Sequence, residues 1–499
     1  MDFMSILRKC FMVLLIILVS IQCLIAQPLD SKSGQFLITG KALNTRDTLW
    51  EFIQTGFLEN TLQQLVISND GTFNKSFFTE GLQDITLKLS SEWITLYIQP
   101  NDTVEVYWED GNLNNTLRVV SPNAQRNIEF QLNLKQQKEF SQPWDDLYRK
   151  VGDSIPDPDT TAYRWINDQY NQQLKIVLED SIYKIEHIDK FINQIYYKYS
   201  YLLLTLNLLP RYYLISDRLL VNPGNDPDIN KIIPKSKSFK RLFGKQFYEC
   251  PEYRDFLFDY VRLGSTLFNS YNTGTYLHDE DMAPFTNGLN QYYYGLANLN
   301  IYPIRDWYLT KAIINSFEYY SFDESITALN DFLPRCKSQI YKDTLISYFE
   351  KYQKFKSGSP APPFSLKDEN GKIVSLADFR GKIVYIDFWG VGCKPCRYQI
   401  ANFVPKLFEK YKGEDVVFIN ICVDADEKTW KSTLQKTQLE GINLYAEGRA
   451  KNKACQDYNV NALPRYFLID REGKFVNSNM AWPEAIVSGS NVEIDKLLK

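Results

Sequence analysis

The chain has 499 residues, 44% hydrophobic and 23% charged, which is enough apolar content to bury two or three cores. Its formal net charge of −4 argues against a nucleic-acid partner, which would need a basic face, and its only histidines, His187 and His278, offer little to a metal centre.

Arg8 and Lys9 precede the apolar run FMVLLIILVSI, and Ala26 offers a small residue for cleavage before Gln27. Residues 1–26 therefore have the pattern of a secretory signal peptide, and the mature chain is expected in the periplasm or associated with the envelope. The run is short for a membrane span. Two alternatives stay open: lipid attachment at Cys23, against which Gln22 counts because a small residue is wanted there, and an uncleaved anchor, because Leu24 is bulky for the cleavage site.

Over 27–122 the chain runs in short alternating stretches: FLITGKA, TLQQLVIS, NDGTF, DITLKLS and WITLYIQPNDTVEVYW. The period is two and Asn69-Asp70-Gly71 is a turn signal, so an antiparallel sheet or small β-sandwich is expected. Over 123–356 the pattern becomes helical. Ile185, Ile188, Ile192, Ile195, Tyr199, Leu202, Leu206 and Leu209 keep three-to-four spacing up to Pro210, and the stretches 253–264, 308–320 and 338–352 behave likewise. Tyr196, Tyr197, Tyr199 and Tyr201 fall in one such stretch, where half-burial at an interface suits them better than a cofactor box. This all-α region is expected to be a scaffold, with a partner-binding or homodimer face there or in the β domain as the second use. SGSPAPP, 357–363, has the composition of a semi-rigid spacer ahead of a last domain, 364–499.

That last domain holds YIDFWGVGCKPCR, residues 385–397. Ile383, Val384, Ile386, Phe388 and Trp389 form a nearly continuous apolar run, the pattern of a strand covered on both faces, and a helical pattern then runs to about Tyr411. Cys393 and Cys396 have the spacing of a thiol–disulfide exchange pair; buried thiols, a structural disulfide or zinc are the other uses of C-x-x-C, and zinc lacks further ligands nearby. At a helix N-terminus the free N–H groups and the dipole stabilise a thiolate, so Cys393 is the expected nucleophile and Cys396, one turn inside, the resolving thiol. Lys394 adds a positive charge and Pro395 fits the first turn, so both tune the thiolate. Asp387, inside the apolar strand, should be desolvated and hard to ionise, which suits a proton shuttle to Cys396; the alternative is a solvent-facing carboxylate at the strand end. No cofactor beyond the Cys393–Cys396 disulfide and no metal is expected. Cys250 with Cys336, and Cys422 with Cys455, could pair, although buried thiols are the simpler use.

The order of these motifs resembles the secreted TlpA/ResA-like thiol–disulfide oxidoreductases of the thioredoxin superfamily. The hairpin PPFSLKDENGKIVSL, then LADFRGK, the redox strand and helix, VVFINICVD, a helix near 427–438 and NVNALPRYFLID carry the resemblance over some 140 residues. It implies a thioredoxin-like α/β domain with a cis-proline at Pro464 facing the dithiol. Leu463 would offer backbone groups to an extended substrate, and Trp389, Gly392 and Arg465 would line the same surface. Gly392 stands where the family usually has Trp, which would leave a more open surface, and Arg465 where it usually has Thr, which would add a second cation near the thiolate or else be a solvated side chain. The implied partners are protein thiols and disulfides and an envelope redox partner, with cytochrome c maturation as one role. The implied activity is thiol–disulfide exchange, more as reductant than as oxidant. An envelope binding or scaffold protein with an accessory redox domain is the alternative. PAPPFSL also resembles the start of a peroxiredoxin, but Gly390 stands where peroxide reduction needs Thr. Residues 27–122 resemble, through DG-x-F and QPNDTV, the N-terminal domain of unknown function fused to such proteins in Bacteroidota.

Overall fold

The computed structural model describes residues 34–122 apart from short gaps, 158–179, 191–198, 247, 250–273, and 288–499 apart from 300–301 and 449–450. The expected signal peptide, Cys23, Tyr199 and Tyr201 lie outside the described residues. The chain divides into two compact units, Met1–Leu257 and Phe258–Lys499.

Among the described residues of the first unit, eight strands form two four-stranded sheets: β1 (Gly34–Leu43), β2 (Leu49–Thr55), β3 (Asn60–Val66), β4 (Thr72–Thr79), β5 (Gln83–Leu89), β6 (Glu92–Ile98), β7 (Thr103–Glu109) and β8 (Arg118–Val120). The sheet orders are β4-β1-β7-β8 and β3-β2-β5-β6. Alternation drives the packing: Phe36, Ile38, Val104 and Val106 from one sheet and Phe52, Ile85, Leu87 and Leu96 from the other are buried in one shared core. This is the sandwich expected from the period of two, with two differences. Strand β2, LWEFIQT, adds an element outside the alternating stretches of the sequence, and β1 pairs with β7 in parallel. Five strands separate β1 from β7, so no hairpin forces them to run antiparallel. Helix α1 (Pro158–Glu179) follows, residues 191–198 are helical, and α2 (Pro251–Thr273) spans the division between the units. The expected helical region 123–356 is thus shared by two bodies. Tyr197 is buried against Tyr253, with ring centroids 4.7 Å apart, and Tyr196 is half-buried.

After α2 the second unit continues with helices α3 (Gly288–Asn298), α4 (Tyr302–Tyr319), α5 (Phe322–Phe332) and α6 (Gln339–Tyr352). Ser321 and Ser338 cap the last two, accepting from Glu324 N and Tyr341 N, which explains why these helices start where they do. A seven-stranded sheet follows, from β9 (Ser365–Asp368), β10 (Ile373–Ser375), β11 (Ile383–Trp389), β12 (Val416–Cys422), β13 (Ile442–Tyr445), β14 (Arg465–Ile469) and β15 (Phe475–Asn477). Its order is β10-β9-β13-β12-β11-β14-β15, with β11 parallel to β12 and antiparallel to β14. The helices are α7 (Lys394–Asn402), α8 (Val404–Lys410), α9 (Glu427–Thr437), α10 (Lys453–Asp457), α11 (Pro483–Val487) and α12 (Glu493–Leu498). The single helix expected up to Tyr411 is broken at Phe403, because Pro405 cannot donate to the preceding turn and starts a new helix instead.

Residues 357–363 are not a free spacer. Gly358 N donates to Phe475 O (2.7 Å), Phe475 N to Ser359 O (2.9 Å) and Ala361 N to Gly473 O (3.0 Å), while Tyr458 Oη donates to Pro362 O (2.9 Å). The prolines keep this segment extended, and an extended segment beside the edge strand β15 completes that strand's hydrogen bonding. Phe355, buried just before it, packs on Phe475 with centroids 5.8 Å apart. Phe355→Ala is therefore expected to destabilise the protein by about 3 kcal/mol in urea unfolding. A spacer would show a change within about 0.5 kcal/mol.

Candidate active site

All seven residues of β11 are buried, because β12 and β14 flank it and helices cover both faces. The strand ends at Trp389, the chain turns through Gly390, Val391 and Gly392, and Cys393 is the N-cap of α7. Its Sγ accepts from Cys396 N at 3.1 Å, and the two sulfurs are joined as a disulfide. Pro395 occupies the first turn, where an N–H would have had no helical partner. Cys393 is half-buried and Cys396 fully buried, so a reagent from solvent meets Cys393. Lys394 beside it is exposed.

Asp387 is 3% exposed, and its Oδ1 has no hydrogen-bond partner. Burial pushes its carboxyl well above the usual carboxylate range. The pleat places its side chain between those of Tyr385 and Trp389 on one face of β11, and Tyr466 lies directly opposite in β14. Tyr385 stacks on Tyr466, centroids 5.4 Å apart, and Trp389 belongs to the cluster that contains Cys396. The acid therefore sits on the strand face between the Tyr385–Tyr466 stack and Trp389, which packs in the same cluster as Cys396. This is the buried position expected from its place in the apolar run.

The Leu463–Pro464 peptide is cis, both residues are half-buried, and Leu463 packs against the same cluster as Cys393 and Cys396. Two other expected contacts are corrected. Trp389 is 0% exposed, packed among Cys396, Cys422 and Trp430, so it supports the site from below and meets no substrate. Arg465 is neither beside the thiolate nor solvated: it is 8% exposed, donates from a guanidinium nitrogen to Tyr319 O (2.9 Å) and lies 5.6 Å over Phe467. Burial lowers its pKa to about 10. Gly392 is exposed, consistent with the open surface expected there.

Two residues of the site went unnoticed in the sequence. Asp424, just beyond β12, accepts from Val391 N (2.6 Å) through Oδ1 and from Gly392 N (2.8 Å) through Oδ2. The alternating glycines of WGVGC were the available signal: a Cβ at Gly390 would lie 2.5 Å from Asp424 Oδ2, and one at Gly392 3.2 Å from it. A threonine at 390, as peroxide reduction needs, would collide with that carboxylate. Gln399 ties α7 to α11, donating to Glu484 Oε2 (3.0 Å) and accepting from Glu484 N (3.1 Å). Cys250, Cys336, Cys422 and Cys455 are free and buried, so neither suggested pairing is formed. Burial pushes both Cys422 and Cys455 up to about 11, which leaves them inert beside Cys393.

Among the described residues no cluster of three or more His, Cys, Asp or Glu could hold a metal ion, and no described helix is long and apolar enough to cross a membrane. A mixed sheet with β11, β12 and β13 parallel at its centre, a helix-capping dithiol and a cis Leu463–Pro464 peptide whose Leu463 packs with it define a thioredoxin-like redox domain. The Redoxin family model matches residues 356–482. The thiol-disulfide oxidoreductase ResA of Bacillus cereus is 34% identical over 129 residues, 26% of this chain and 72% of that protein. ResA of Bacillus subtilis is 32% identical over 128 residues, 26% of this chain and 69% of that protein. The crystal structure of the thioredoxin domain of a thiol-disulfide oxidoreductase from Bacteroides vulgatus is 25% identical, covering 29% of this chain and 99% of that chain with a TM-score of 0.26. The chain belongs to the ResA/TlpA-like thiol–disulfide oxidoreductases, and its C-terminal domain is the oxidoreductase.

The raised pKa of Asp387 has a signed consequence for stability. Between the unfolded value near 3.8 and the folded value above it, the native state holds a proton that the unfolded chain releases, so this group's contribution falls as pH rises through that window. Asp387→Asn should make the protein more stable than wild type at neutral pH, with the gain vanishing as pH falls toward the unfolded value. Denaturant unfolding at several pH values checks this; a variant less stable at neutral pH would contradict it.

Proposed function

We propose that this protein is an envelope thiol–disulfide oxidoreductase that reduces disulfides in protein substrates through the Cys393–Cys396 pair. The observation that supports it most is the asymmetry of the pair: one sulfur half-exposed at a helix N-terminus, the other fully buried in the cluster of Trp389, two residues along β11 from the desolvated Asp387. The pattern of residues 1–26 supports the location.

In the reduced protein the Cys393 thiolate attacks a substrate disulfide, forming a mixed disulfide and releasing one substrate thiolate. Asp387 takes the proton of Cys396, whose sulfur then attacks Cys393 and expels the second substrate thiolate. The substrate has gained two electrons, and the protein holds a Cys393–Cys396 disulfide and a protonated Asp387. A dithiol partner in the envelope resets it by the reverse exchange, Asp387 returning its proton to Cys396. Leu463 and Pro464 flank the dithiol as the wall along which an extended substrate segment would lie.

Cys396→Ser should trap a covalent mixed disulfide, identifiable by mass spectrometry, whereas Cys393→Ser should trap nothing and exchange nothing. Preferential alkylation of Cys396 in the reduced wild-type protein at limiting reagent would overturn the assignment. Asp387→Asn should slow resolution of the mixed disulfide by about 100-fold near neutral pH, with the deficit shrinking as pH rises and Cys396 ionises unaided. An unchanged pH–rate profile would remove Asp387 from the proton path.

A further inference from the structure

Asp424 transfers no proton and meets no sulfur of the dithiol in the scheme above, yet the loop that delivers Cys393 is built around it. Its two carboxylate oxygens take the N–H groups of Val391 and Gly392, the two residues immediately before the N-cap. Those N–H groups therefore point at Asp424 and not at the Cys393 sulfur or a substrate thiolate. The Cys422 sulfur lies 4.0 Å from Oδ1, and the charge of Asp424 helps burial to hold that thiol protonated. Glycine at 390 and 392 leaves room for the carboxylate, since a Cβ at either position would press on Oδ2 at 2.5 and 3.2 Å. Of the nearby charged groups, Lys394 and Arg397 are exposed on α7 and Asp387 is buried in β11. Arg465 is committed to Tyr319 and Glu484 to Gln399.

We infer that Asp424 is a positioning residue that sets the redox poise: it pins the 390–392 loop and places a fixed negative charge beside the Cys393 end of α7, holding the couple on the reducing side. This deepens the proposed function and rests on Cys393 being the nucleophile. Reduction of the disulfide breaks the S–S bond, takes two electrons from a thiol donor such as two glutathione molecules, which become glutathione disulfide, and leaves Cys393 as a thiolate and Cys396 as a thiol. A neighbouring negative charge raises the free energy of that thiolate and leaves the uncharged disulfide almost untouched. It thus opposes the helix N-terminus and Lys394, which both favour the reduced form, and disfavouring the reduced form lowers the reduction potential.

The test uses the full chain, titrated in glutathione buffers, with the pH midpoint of Cys393 alkylation measured in parallel. Asp424→Asn keeps the shape and one acceptor but removes the charge. The equilibrium constant for its reduction should rise about three- to tenfold, equivalent to about 15 to 30 mV, and the alkylation midpoint should fall. Gly392→Ala, which displaces the carboxylate by its Cβ, should shift both readouts in the same sense by less, and serves if Asp424→Asn folds poorly. A purely structural role would slow exchange or lower the melting temperature with both readouts unmoved; that result, or shifts of opposite sign, overturns the inference. Should wild-type alkylation instead fall first on Cys396, the proposed function itself fails, which is a separate outcome.

Discussion

The site depends on one strand being buried along its whole length. β11 contributes seven buried residues, and six of them bring aromatic or aliphatic surface that the sheet needs as its centre. The seventh, Asp387, brings a carboxyl with an oxygen that finds no partner. Leaving such a group unpaired costs about 1–3 kcal/mol, and more if it must ionise, so the core offsets a local defect that a purely structural strand would have no reason to keep. The same burial fixes where the strand can end. Past Trp389 the chain leaves the core through a turn of small residues, and the first residue able to begin a helix is Cys393. Desolvated acid, buried thiol and half-exposed thiol are thus successive consequences of one covered strand.

Around that axis the opposing charges are held at different depths. Lys394 lies in solvent, where its influence is screened. Asp424 is half-buried and doubly hydrogen-bonded, so its position is defined. Arg465, the cation that the chain places directly after the cis-proline, is turned to the carbonyl of Tyr319 at the end of α4, and Asn459 likewise donates to Tyr352 Oη at the end of α6 (3.1 Å). The helices before the redox domain are therefore part of the body that carries the site. The Redoxin match spans 356–482, whereas the compact unit begins at Phe258.

Much of this was legible in the sequence. The apolar run of β11, the C-x-x-C at its end, the anomalous Asp387 and the proline of NALPRYF each carry a local signal, and the structure places them as that signal suggests. What escaped did so for definable reasons. A strand buried on both faces shows no alternation, so nothing in the run told that Trp389 points into the core rather than toward a substrate. The partner of Arg465 lies 146 residues away, so its charge looked like that of a surface residue. SGSPAPP has the composition of a spacer because edge pairing and free extension call for the same residues. Asp424 ends a strand as many carboxylates do, and only the room left by Gly390 and Gly392 marks it as part of the site.

The central claim is that Asp387 is kept neutral in β11 and exchanges its proton with Cys396. Infrared difference spectroscopy of the oxidised protein at neutral pH, wild type against Asp387→Asn, reads that proton directly. A protonated-carboxyl carbonyl band should be present only in the wild type and should lose intensity when the disulfide is reduced. A wild-type spectrum in which Asp387 shows only carboxylate bands in the oxidised state would contradict the claim.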